Sequence, residues 1–142
     1  MRGEAIARFR VYPEAPSGLY FTVLVFPSWA AFDRHRKQVW FLSNGRPKDG
    51  RRTLGGVVPF VRGKTGQDGR ERVSQEFAEI HLCVKRITME IITHEAAHAT
   101  HAWARRQKLE ANDMAREERW CYAHGRICQA LENRLIKAKL AV

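Results

Sequence analysis

The amino-acid sequence predicts an α+β fold in one domain. An N-terminal twisted sheet, mixed or antiparallel, is expected to pack on two C-terminal helices. Three observations carry that expectation. Residues 1–84 hold short β-branched and aromatic runs separated by Gly, Pro and basic loops. Residues 84–103 contain neither Gly nor Pro and are apolar around most of a helical circumference. Residues 113–139 hold no Pro and a single Gly, Gly125, with acidic residues at the start and lysines at the end, which suits a helix dipole. A length of 142 residues fits a single domain with a modest core.

Residues 8–12 alternate weakly, as a marginal strand does. Residues 19–26 are β-branched and aromatic and form a stronger one. Pro27 and Ser28 cap a short helix at 29–36. Residues 38–42 read as a further strand, ended by the turn signal Asn44-Gly45. Residues 56–62 read as a short strand, and Pro59 marks it as an edge because proline cannot donate to a ladder. Residues 63–69 read as a flexible glycine-rich loop. Residues 79–84 alternate and lead into the first C-terminal helix, placed at 85–106. Asn112-Asp113 offers an N-cap for the second, placed at 113–139.

Inside the first helix lies His94-Glu95-Ala96-Ala97-His98, flanked by Ile91-Ile92-Thr93 and Ala99. Positions four apart share one helix face. Two imidazoles so placed can grip one zinc ion, and Glu95 beside them can take a proton from an activated water. The spacing is that of a zinc hydrolase, usually a metallopeptidase. Two histidines and a glutamate on a largely apolar helix are costly to leave unpartnered, and a metal meets that cost.

A catalytic zinc usually keeps three protein ligands and one open position. His101 follows His98 by three residues and shares its face, but three ligands on one straight helix approach from nearly one side. A second helix offers better angles. Glu118, twenty residues after His98, can fold back over the pair through a short connection at 105–112. Glu117 is the alternative, about 100° away around the helix. Tyr122, one turn after Glu118, can hydrogen-bond an oxyanion or a substrate carbonyl. His124 and His81 are open to the same role, and Asp113 to orienting an imidazole.

With the motif at 94–98, the stretch Glu118-Arg119-Trp120-Cys121-Tyr122-Ala123 resembles the gluzincin group of zinc peptidases. Those pair the same motif with a glutamate on a following helix, about twenty residues on. The stretch is similar, more distantly, to the Glu-x-x-Ala element of the ImmA/IrrE-like zincins. Residues 117–126 look like the ligand helix of small zincin-like proteins often encoded by phages and prophages. The resemblance covers about residues 78–136. It implies a zincin-like domain with 85–106 as active-site helix and 113–139 as ligand helix. It further implies zinc on His94, His98 and Glu118, Glu95 as general base, and a protein or peptide substrate. In zincins the sheet edge beside the active-site helix commonly receives substrate as an added strand; residues 57–61 and 79–83 are the candidates.

The net charge of +10 is uneven: 14 Lys/Arg stand against 6 Asp/Glu in residues 1–75, and 11 against 9 in 76–142. The excess falls on Arg46, Lys48, Arg51, Arg52, Arg62, Lys64, Arg70 and Arg72. Such loops attract phosphate non-specifically or simply stay solvated. Few aromatics interleave with them, so base stacking on nucleic acid is not indicated. Two alternatives to a free peptidase follow. One is a nucleic-acid-associated protease of SprT-like logic, whose third ligand is a histidine, a part open to His101 or His124. The other is a non-catalytic module stabilised by zinc, against which the intact Glu95 counts. Cys83, Cys121 and Cys128 form no CxxC pair, and the last two, seven apart on one helix, cannot bridge; this suits a reducing compartment. No signal-peptide h-region and no membrane-spanning run is visible, so a cytoplasmic protein is expected. Nothing in the sequence speaks to the oligomeric state.

Overall fold

The computed structural model describes residues 4–14, 18–43, 55–59, 63–65, 67–84, 86–109 and 114–140. In chain order the elements are β1 (Ala7–Val11), β2 (Tyr20–Phe26), α1 (Trp29–Ser43), β3 (Gly55–Pro59), β4 (Gly63–Thr65), β5 (Glu71–Val73), β6 (Glu76–Cys83), α2 (Met89–Arg106) and α3 (Met114–Lys137). The expected α+β class holds: a four-stranded mixed sheet of order β1-β2-β6-β3 carries three helices. β1 runs antiparallel to β2, β2 parallel to β6, and β3 antiparallel to β6.

Alternation decides which helix lies on which face. Phe21, Val23 and Val25 of β2 and Ala78, Ile80 and Leu82 of β6 share one core with Ile92, Ala96 and Ala99 of α2 and Ile127 and Leu131 of α3. Leu24, Phe26 and Cys83 turn the other way and pack with Ala31 and Phe32 of α1. The sheet is therefore covered on both faces. That explains why all eight residues of β6 are buried, charged ones included. Each large apolar side chain placed in these cores contributes roughly 1.5–3 kcal/mol.

Several boundaries differ from expectation, each for a local reason. α1 continues through residues 38–42 instead of yielding a strand there. A short apolar run fits either element by pattern, and extending a helix already nucleated costs less than starting anew. α2 begins at Met89, not at 84–85: Thr88 caps it, its hydroxyl accepting from the Ile91 N–H at 3.2 Å. Val84 meanwhile donates its N–H to the Phe26 carbonyl at 2.9 Å and so stays with the sheet. Within the expected loop at 63–69, residues 63–65 pair with 71–73 as a small antiparallel hairpin. β3 is an edge, as Pro59 predicts, whereas β6 lies between β2 and β3 and has no free edge. Residues 79–83 therefore cannot accept an added strand, which leaves β3. The Asn44-Gly45 turn, the Asn112-Asp113 cap and residues 60–62 lie outside the described residues. No helix among the described residues is long and apolar enough to cross a membrane.

Candidate metal centre

α2 sets His94, Glu95 and His98 in two environments. His94 and His98 are exposed on its outer side, and their Nε2 atoms lie 3.2 Å apart, with the rings crossing at 71°. Burial, then the neighbouring His94, His101 and Arg105, holds the His98 imidazole below its usual pKa. A neutral ring is what a metal requires. Glu95 turns inward and is 4% exposed. Its side chain runs against β3, where a Cβ on Gly55 would come within 3.2 Å of its Cγ and Oε1. A larger residue there would make the carboxylate shift by a few tenths of an ångström. Burial pushes the Glu95 carboxyl up to about 7, although His94 and Arg36 pull the other way. Its Oε2 is buried without a hydrogen-bond partner among the described residues. A base poised near neutrality and still unpaired suits proton transfer.

Glu118 does not join the pair. The buried stripe of α3 is Ala123, Ile127, Leu131 and Leu135, and Glu118, nine residues before Ile127, lies about 180° from it. Glu118 is exposed and lines an outer cleft of about 930 Å³ with Pro13, Glu14, Arg119 and Tyr122. Across it Arg119 donates from Nη2 to Glu14 Oε2 at 2.8 Å, which holds the Glu14 carboxyl below its usual range. Tyr122, 75% exposed, belongs to that cleft and not to the histidine pair. The face of α3 turned to α2 carries Trp120, His124 and Cys128, which with Cys121 and Gly125 line an open cavity of about 440 Å³ together with Ala97, Thr100 and His101 of α2. Glu117, three residues before Trp120 and seven before His124, falls on that side by helical position, but it is exposed and does not line the cavity. His101 packs its ring on Trp120 at 4.7 Å. His124 Nε2 meets Cys128 Sγ at 3.5 Å, and burial keeps that thiol protonated. Among the described residues no third His, Cys, Asp or Glu ligand atom gathers with both His94 and His98 within 4.8 Å. Asp113 lies outside the described residues, as do Arg46, Lys48, Arg51, Arg52 and Arg62 of the basic loops.

A second constellation lies on the α1 face. His35, Glu79 and His81 are buried and bring their ligand atoms within 4.8 Å of one another, close enough to hold a metal. His81 is fully enclosed across the sheet from α2, so it has no part in an oxyanion site beside His94. Sequence reading passed over His35 and Glu79. The available signal was two polar residues, Glu79 and His81, at alternate positions of a strand that is apolar otherwise from Phe77 to Cys83, which places both on one face. Set against protein-family models, curated proteins and solved structures, the chain finds no match.

Proposed function

We propose that the chain is a zinc-dependent peptidase, with His94 and His98 as ligands and Glu95 as general base. The observation that carries this reading is the 3.2 Å separation of the two Nε2 atoms. A tetrahedral zinc with Zn–N bonds of about 2.0–2.1 Å requires its nitrogen ligands about 3.3–3.4 Å apart. The pair thus fits two coordination positions. The third comes from α3 in this reading, where Glu117 lies on the side toward α2 by helical position and Glu118 carries the family-like spacing. Zinc held there supplies Lewis acidity to a substrate carbonyl. Glu95 takes a proton from the attacking water and returns it to the leaving amine. An extended peptide adds along the edge that β3 forms among the described strands, which passes over Glu95 at Gly55.

Metal analysis and a casein digest test the reading. The purified chain should carry one zinc, lost in the His94→Ala/His98→Ala double variant. Glu95→Gln should keep zinc and lose at least about a hundredfold in rate, the usual contribution of a general base. Zinc retained by the double variant, or hydrolysis retained by Glu95→Gln, would sink it. Comparing zinc content in Glu117→Ala and Glu118→Ala decides the third ligand.

A further inference from the structure

The buried constellation on the α1 face has a direction. Arg36 Nη1 lies 3.3 Å from His81 Nδ1. A guanidinium can only donate, so Nδ1 of His81 accepts, and the ring proton sits on Nε2. That Nε2 lies 3.0 Å from Glu79 Oε1 and donates to it. His35 Nε2, 3.1 Å from the same oxygen, donates as well. The bonds run in one direction, from Arg36 through His81 to Glu79, and join a guanidinium to a carboxylate of opposite formal charge. A metal would need both Nε2 atoms bare, and His81 would then turn an N–H at Nδ1 toward the guanidinium N–H. Proximity alone suits a metal; the polarity imposed by Arg36 does not.

Arg36 is 8% exposed, and burial pulls its pKa down to about 10. Holding a cation there calls for a use. A Cβ on Gly56 would fall 1.8 Å from Nη1, so the guanidinium occupies the space beside β3 that a side chain there would fill. Gly55, the preceding residue, is pressed by Glu95. Successive strand residues face opposite sides, so the cation and the carboxylate meet the same two-glycine step from opposite faces with only backbone between them. Each feels the other's charge.

We propose that Arg36, held by the His81–Glu79–His35 chain of hydrogen bonds, is a positioning residue for Glu95 that acts across the side-chain-free Gly55–Gly56 step of the edge strand. This rests on the reading of Glu95 as general base. The test uses the zinc-loaded full chain with casein peptides. Arg36→Met should keep its zinc, hold KM within about twofold and lose about tenfold or more in kcat, while Arg36→Lys recovers most of it. A folded, zinc-loaded Arg36→Met with wild-type kcat overturns the proposal. Should that variant not fold, ¹⁵N NMR of the histidine-labelled wild type decides. His81 should show a protonated Nε2 and a bare Nδ1, unchanged by zinc beyond the first equivalent. A bare Nε2, or a second zinc seated there, overturns it. A zinc-loaded wild type that cleaves nothing sinks the peptidase reading alone, and the imidazole pattern still decides the hydrogen-bond chain.

Discussion

One methyl group added to β3 probes both sides of the sheet. In Gly55→Ala the new Cβ meets the Glu95 side chain at 3.2 Å, tighter than ordinary contact. In Gly56→Ala it lands on the Arg36 guanidinium, which must leave its place. Both variants should lose about 1–3 kcal/mol in urea denaturation, as overpacked sites do. Gly56→Ala should lose more, because the displaced guanidinium takes the His81 bond with it. Wild-type stability in both would show that the side chains yield freely. Tyr122→Phe is the contrasting case: it lines the outer cleft, so kcat should stay within about twofold of wild type. At this scale the pair His94 and His98 was legible in sequence, because one helical turn is a local relation. The bonds of Glu79 to His35 and of His81 to Arg36 span 44 and 45 residues. No local pattern encodes them; the sheet and α1 must form first.

Two helices end in the same way. Lys108 and Lys139 both have φ of 55°, in the left-handed region. The following leucines close each end: Leu109 donates to the Ala104 carbonyl and Leu140 to that of Leu135, each at 2.9 Å. This is the Schellman arrangement, in which glycine is the favoured residue at the position the lysines hold. Lys108→Gly and Lys139→Gly should therefore each stabilise the chain by up to about 1 kcal/mol, less a few tenths for the lost charge at the helix end. Thermal melts check this, and a lowered melting temperature in both would contradict it. The ends of α2 and α3 are placed within a few residues without a glycine signal, from the connection at 105–112 and the lysines at 137 and 139. The orientation of α3 is readable in the sequence. The stripe Ala123, Ile127, Leu131 and Leu135 recurs every four residues and fixes which face is buried. Spacing from His98 favoured Glu118; the stripe turns Glu117 toward α2 instead. The strand expected at residues 38–42 failed for the converse reason, because a short run cannot outvote the helix it continues.

For the whole molecule, the two faces of the sheet carry opposite responses to pH. On the α2 face, burial raises Glu95 from 4.5 to about 7. Between those values the folded chain keeps a proton that the unfolded chain releases, so stability falls as pH rises through that window. On the α1 face, burial lowers His81 from 6.5 to about 4. As pH falls through that window the unfolded chain takes up a proton that the folded chain refuses, so stability is lost toward acid. Each shift corresponds to about 3 kcal/mol. Between pH 4.5 and 6.5 these two contributions have opposite sign and similar size, and they largely offset one another. Glu95→Gln removes one of them. In EDTA, its unfolding free energy should rise by about 3 kcal/mol from pH 4.5 to 6.5, relative to the wild-type profile over the same range. Urea titrations at several pH values measure that difference. Parallel profiles for the variant and the wild type would mean that Glu95 is not held neutral by burial, and the poised base beside His94 would lose its physical footing.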